Sequence, residues 1–202
     1  MIAIIDYGLG NLESVKKSLS VAGAAAVITN KHYEIVKADK IVLPGQGAFA
    51  DGIKNLSQAG LIPILNKQIL EKHKPFLGIC LGLQLLGETS FENGKHQGLN
   101  WIRGIVIKLK VGKGEKLPHI GWDNVSSSRP PLFSQISDGS DFYFVHSYYL
   151  KPEDQKIIAA TCAYGEKFPV AFVQKNIWAT LFHPEKSQQS GLQLLKNFVN
   201  LA

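Results

Sequence analysis

Short apolar runs alternate with segments of helical period through the first half of the chain. Ile2 to Tyr7 is an apolar run closed by Gly8-Leu9-Gly10, and Leu12, Val15 and Leu19 then recur on one helix face. Ala24 to Thr29 and Lys40 to Leu43 predict the second and third strands, the latter stopped by Pro44-Gly45-Gln46-Gly47. Helical patterns follow around Asp51 to Gln58 and Pro63 to His73. Pro75 to Ile79 predicts a fourth strand that runs directly into Leu81 to Leu86. Continuous apolar strands separated by helices are the pattern of parallel strands buried on both faces. Right-handed crossovers then bring the carboxyl ends of the strands to one edge, where such sheets bind ligands. The segments Gly8–Gly10, Gly45–Gly47 and Gly78–Gly82 all fall at that edge.

The second half changes pattern. Ile105 to Leu109, Phe142 to Tyr149, Ile157 to Ala163, Val170 to Gln174 and Ile177 to Phe182 predict strands with few helices between them. They read as antiparallel additions to the sheet. A closing amphipathic helix spans Ser190 to Leu201, with Leu192, Leu195, Phe198 and Val199 on its core face. The expected fold class is therefore α/β: a doubly wound, mostly parallel central sheet, flavodoxin-like, with antiparallel additions in the second half. No linker interrupts it, so residues 1–202 are expected to form one domain.

Composition narrows the function classes. Hydrophobic residues at 45% and charged residues at 19% suit a soluble globular enzyme and exclude a disordered chain. The net charge of +6 permits phosphate or nucleic-acid ligands. Its lysines are scattered, however, and the densest group, Lys108, Lys110, Lys113 and Lys116, has no aromatic interleaving and reads as a solvated loop or hairpin. No nucleic-acid partner is expected. The chain lacks a long apolar stretch and a basic leader, so neither membrane nor secretion is expected, and the cytoplasm fits best. Cys80 and Cys162 stand far apart without CxxC spacing, which argues against a disulfide scaffold and a cysteine metal site. No metal or cofactor is expected.

The candidate chemistry centres on Gly78-Ile79-Cys80-Leu81-Gly82, between a strand and a helix. It parallels the G-x-S-x-G nucleophile elbow with sulfur replacing oxygen. The turn lifts the side chain above the sheet, a helix N-terminus favours thiolate, and the Leu81 N–H faces a developing oxyanion. Alone, a cysteine ending a core strand is more often an inert packing residue; the two glycines reverse that reading. The base is His183 in Phe182-His183-Pro184-Glu185, with Glu185 two residues on to orient the imidazole. The competing reading is an ordinary helix-entry loop with Pro and Glu at the first turn. His119 and His146 lie in structured segments, but neither has an acid two positions later. Gly45 and Gly47 permit a peptide flip that supplies the second oxyanion donor.

With these motifs in place, the chain resembles the class I (triad) glutamine amidotransferases over nearly its whole length. Within them it is similar to the glutaminase subunits of imidazole glycerol phosphate synthases. The motifs that carry this are Asp6-Tyr7-Gly8-Leu9-Gly10-Asn11, Leu43-Pro44-Gly45-Gln46-Gly47 and Gly78 to Leu86, then Pro118-His119-Ile120-Gly121-Trp122, Phe144-Val145-His146-Ser147 and Phe182 to Ser187. The resemblance implies that Cys80 attacks the side-chain amide of glutamine and that His183 and Glu185 complete the triad. It implies that Gly45, Gly47 and Leu81 supply the oxyanion hole. It places Gln84, Glu92, His146 and Ser147 on the substrate and Asn11, Trp122, Tyr143 and Lys186 toward a cyclase partner. That partner would form a heterodimer with this chain and use the released ammonia in histidine biosynthesis. Without the resemblance, Gln84, Trp122, Tyr143 and Lys186 read as solvated or packing residues.

Two positions depart from the resemblance. Gln46 stands where an aliphatic residue is common, and its longer amide predicts a hydrogen bond to the resting loop. Asp123 stands where Asn commonly follows the tryptophan. Four alternatives compete with this reading. A glutaminase serving another synthase, such as one in surface-sugar amidation, is disfavoured only by the partner-facing motifs. Intact Cys80, His183 and Glu185 argue against a regulatory module without catalysis, Gln84 and His183-Pro184-Glu185 against a cysteine peptidase on the same fold, and the scattered charge against a basic nucleic-acid binder.

Overall fold

The computed structural model describes residues 1–127 and 130–200. The first half lays down β1 (Ile2–Ile5), α1 (Leu12–Val21), β2 (Ala26–Thr29), α2 (His32–Lys37), β3 (Lys40–Gly45), α3 (Phe49–Gln58), α4 (Leu61–Asn66), β4 (Phe76–Cys80) and α5 (Leu81–Gln84). The second half adds β5 (Thr89–Ser90), β6 (His96–Gln97), β7 (Gly104–Lys108), β8 (His119–Ser127), β9 (Ser140–His146) and β10 (Tyr148–Pro152). It ends with β11 (Ile158–Tyr164), β12 (Glu166–Gln174), β13 (Ile177–Thr180) and α6 (Gln188–Val199). Among the described residues, no helix is long and apolar enough to cross a membrane.

One nine-stranded sheet runs β2-β1-β3-β4-β13-β12-β11-β8-β9. β2, β1, β3, β4 and β13 are parallel, and the remaining pairs are antiparallel. β1, β4 and β13 are buried at every position, as strands covered on both faces must be. Each fully buried Ile, Leu or Val there contributes about 1.5–3 kcal/mol by leaving water. Val15 and Leu19 of α1 and Gly191, Leu194, Leu195 and Phe198 of α6 are buried in the core. The register Gly45↔Cys80 and Thr180↔Ile79 brings the ends of β3, β4 and β13 to one edge.

The expected fold class is the observed one, with differences in detail. β13 is parallel to β4, not an antiparallel addition, so the segment leading to His183 exits at the same edge as Cys80. The expected single strand Phe142 to Tyr149 breaks at Ser147: β9 belongs to the large sheet and β10 to a separate four-stranded sheet, β10-β7-β5-β6. The strand expected at Ile105 to Leu109 is part of that second sheet. The helix expected over Pro63 to His73 divides into α4 and a π-turn, Lys67–Glu71. β8 and α2 were not anticipated. β8 is buried at only His119 and Val125, too few apolar positions for a periodic signal. In α6, Leu192 and Val199 pack partly buried against the core, as expected, and Leu194 is buried beside them; Leu201 lies outside the described residues.

Candidate active site

Cys80 ends β4 and opens α5 with φ +54° and ψ −108°, a backbone shape that side chains rarely adopt. Such a residue costs about 1–3 kcal/mol, which the strands on both sides of β4 hold in place. The turn is tight enough to dictate its glycine: a Cβ on Gly82 would lie 1.8 Å from the Leu43 carbonyl oxygen. α5 has only four residues, so its dipole is small. The Leu81 N–H belongs to its first turn, whose donors have no partner within a helix. The Cys80 thiol lies 3.7 Å from the Val145 carbonyl, and both cysteines are free.

Beyond β13 the chain turns at His183 into a short 3₁₀ segment, Pro184–Lys186. His183 Nδ1 lies 2.8 Å from Glu185 Oε1, and both side chains are 2% exposed. The carboxylate accepts, so Nδ1 carries the proton and Nε2 is left to face the cysteine. Nε2 has no hydrogen-bond partner among the described residues. Burial pushes the His183 pKa down, but the charge of Cys80 and then the bond to Glu185 outweigh it, and the pKa stands raised to about 10. These causes favour the protonated ring, so His183 can hold a proton taken from Cys80. Tyr143 secures this segment: its carbonyl accepts from the His183 N–H at 2.9 Å. The Ser187 hydroxyl accepts from the Tyr143 N–H at 3.0 Å and donates to the His183 carbonyl at 2.6 Å. Ser187 was not anticipated in this role, since a hydroxyl bonding backbone leaves no periodic trace.

A cleft of about 220 Å³ opens over Cys80 and Leu81, with Gln46, Gly47, Gln84 and Glu92 along its walls. The break at Ser147 brings residues 145–148 to its rim. Gln84 donates to the Tyr148 carbonyl at 2.9 Å. Glu92 accepts from the Phe49 N–H at 2.7 Å, supplying the cap that Ala48 does not give α3. The cleft wall and the glycine loop are thereby tied together. Gln46 forms no side-chain hydrogen bond among the described residues, so the bond expected of it in the resting loop is absent.

His146 is turned inward. Its Nδ1 faces the Tyr148 carbonyl at 3.1 Å and its Nε2 faces His119 Nδ1 at 3.0 Å. Both ring nitrogens are occupied, so at this position only the backbone can bond a ligand in the cleft. Burial and then the neighbouring His119 depress its pKa to about 3, which keeps the ring neutral. Its Nδ1 must donate to the carbonyl, so its Nε2 accepts from His119 Nδ1. His119 Nε2 in turn lies 2.6 Å from Asp123 Oδ2. An Asn at 123 would place no carboxyl group on this nitrogen. The His119 ring is stacked between Phe144 and Tyr164, with centroids 4.8 and 4.1 Å away.

Trp122, Tyr143 and Lys186 meet on the outer face. The Trp122 and Tyr143 rings are 5.8 Å apart, and Lys186 Nζ lies 5.6 Å over the Tyr143 ring. Trp122 is 44% exposed and the neighbouring Ile120 59%, an unusual apolar exposure on one strand. Asn11 lies apart from them: it caps α1 through the Ser14 N–H at 3.4 Å and makes no bond or ring contact with those three. Among the described residues, no group of three or more His, Cys, Asp or Glu side chains is placed to hold a metal ion.

The family model described as glutamine amidotransferase class-I matches residues 3–201. An imidazole glycerol phosphate synthase subunit HisH from Geobacter sulfurreducens is 51% identical over 98% of this chain and 97% of its own length. A subunit HisH 2 from Pseudomonas aeruginosa is 44% identical over the full length of both chains. Among solved structures, a glutamine amidotransferase superposes with a TM-score of 0.76 at 16% identity, covering 98% of this chain and 100% of that one. PurLQS from Thermotoga maritima does so at 0.74 and 14% identity, covering 98% and 97%. The chain therefore belongs to the class-I glutamine amidotransferases and, within them, to the family of imidazole glycerol phosphate synthase subunits HisH.

Proposed function

We propose that the chain hydrolyses glutamine at Cys80 and delivers the ammonia to a cyclase partner in histidine biosynthesis, acting as one domain over residues 1–202. The observation that carries the reading is His183, held by Glu185 at 2.8 Å with its other nitrogen unpaired beside Cys80. The Cys80 thiol gives its proton to His183 as the sulfur adds to the side-chain carbonyl carbon of glutamine. The developing oxyanion takes N–H bonds from Leu81 and from the Gly45–Gly47 loop. His183 gives its proton to the nitrogen, the C–N bond breaks and ammonia leaves. Water, deprotonated by His183, then hydrolyses the thioester to glutamate and restores the thiol. Gln84, Glu92 and Ser147 hold the α-amino and α-carboxylate end, with the 146–147 backbone beside them.

The exposed Trp122–Tyr143–Lys186 cluster supports a partner face. Tyr143 also bonds the His183 segment through its N–H and its carbonyl, so pressure on that face reaches the triad. Asn11, which caps α1 apart from this cluster, is a further contact of the partner. The partner is a cyclase, the assembly a heterodimer, and the compartment the cytoplasm. The named relatives favour this over a glutaminase for surface-sugar amidation. The test is glutamate release from glutamine by the purified chain, alone and with the cyclase carrying its ribonucleotide ligand. Low activity alone and strong stimulation in the complex are expected, with Cys80→Ala inactive in both. High activity without a partner overturns the coupling, and activity retained in Cys80→Ala overturns the nucleophile.

A further inference from the structure

Tyr7, just beyond the end of β1, is a buried residue of the active-site edge to which none of the steps above gives a part. Its hydroxyl lies against the end of β3. A Cβ built on Gly45 would fall 2.1 Å from the Tyr7 hydroxyl and 2.9 Å from the Leu81 Cβ. The hydroxyl therefore sits against the first glycine of the oxyanion loop, on the side where α5 begins. It has no hydrogen-bond partner among the described residues. Its pKa is pushed up by burial and then by Cys80, so the phenol keeps its proton and remains a donor.

A buried donor without an acceptor is uncommon, because the lost hydration is not replaced. The rest of the neighbourhood is well satisfied. The Tyr7 carbonyl accepts from Asn55 at 3.0 Å, and Glu92 caps the helix after the loop. The hydroxyl next to Gly45 is one of four buried side-chain atoms without a partner among the described residues, with His96 Nε2, His183 Nε2 and Glu185 Oε2. A loop that turns one peptide inward has a matching need. When the Gly45–Gln46 peptide rotates to aim the Gln46 N–H at an oxyanion above Cys80, its carbonyl swings to the opposite side and must find a donor in a buried place.

We propose that Tyr7 is a positioning residue for the oxyanion loop, its hydroxyl donating to the Gly45 carbonyl once the Gly45–Gln46 peptide has turned. The resting loop leaves the donor unpaired, and the turned loop pairs donor and acceptor together. The bond favours the turned state without touching substrate. Gly45 is required for the same reason, since any side chain there would occupy the position of the hydroxyl.

The inference rests on glutamine hydrolysis at Cys80 but not on the partner. The test is Tyr7→Phe, which removes one oxygen, measured in the chain alone and with the cyclase. Every turnover passes through the turned loop, so kcat should fall about tenfold in both settings, the effect of losing one hydrogen bond. KM for glutamine should stay unchanged, and Tm should stay equal or rise, because an unpaired buried hydroxyl has been removed. A kcat within about twofold of the parent overturns the proposal. So does a loss accompanied by a lower Tm or a raised KM, which marks a packing role. If the parent chain shows no stimulation by the cyclase, the coupled reading fails instead, and the Tyr7→Phe ratio is still read from the chain alone.

Discussion

Two histidine–carboxylate pairs of similar length lie near the same cleft, His183–Glu185 at 2.8 Å and His119–Asp123 at 2.6 Å. Their difference lies in the second ring nitrogen. In His183 it is unpaired beside Cys80, and in His119 it is spent on His146. The carboxylates differ as well: the Glu185 side chain is 2% exposed and that of Asp123 36%. A histidine held by an acid is thus not a catalytic base by virtue of the pair. In the proposed reaction it becomes one because the far nitrogen is left free beside Cys80. The second pair builds a wall, ordering the His146 ring and with it the backbone that rims the cleft.

The largest effect should separate the two histidines outright. His183→Asn is expected to lower glutamate release by about 10³-fold or more, as loss of a triad base does. His119→Asn is expected to cost no more than about tenfold, the effect of a lost buried hydrogen bond. Steady-state glutamate release on both purified variants measures this, and comparable losses would break the comparison. The carboxylates should differ next. Glu185→Gln is expected to cost about 10²–10⁴-fold in kcat through loss of the imidazolium's counter-charge. Glu185 is one of the groups that raise His183, so the alkaline limb of the pH–rate profile, set by loss of the imidazolium near pH 10, should move to lower pH. An unmoved limb would assign it to another group.

Asp123→Asn should do least. A third-exposed carboxylate is screened by water, so less than about 1 kcal/mol of stability should be lost, read from chemical denaturation. The same substitution should lower the Cys162 thiol, which burial first and Asp123 second raise to about 12. A shift in thiol-alkylation rate against pH would show it. A large loss of activity in Asp123→Asn would give the second pair a role beyond the wall.

The contrast also shows what pattern reading reaches. The His183 and Glu185 signal was legible because two residues of separation across a 3₁₀ turn bring the groups together locally. His119 and Asp123 escaped because their separation is four, and in a strand such residues share a face. Without knowing that residues 119–127 form a strand, nothing marks them as partners. Tyr7 escaped for a related reason. It reads as the last apolar residue of a strand, and only the neighbouring strand end reveals that its hydroxyl rests on Gly45.

By itself the sequence determined the parallel half of the sheet, the elbow at Cys80 and the local pair His183–Glu185. Each is encoded within a few residues, by apolar runs, glycines where backbone comes close and a short turn. Tertiary structure decided the rest. Parallel pairing of β13 with β4 put His183 at the edge that carries Cys80, and the break at Ser147 gave the cleft its rim. It also turned the His146 ring inward and left the Tyr7 hydroxyl without a partner. Those outcomes rest on contacts between strands far apart in the chain, which local pattern does not specify.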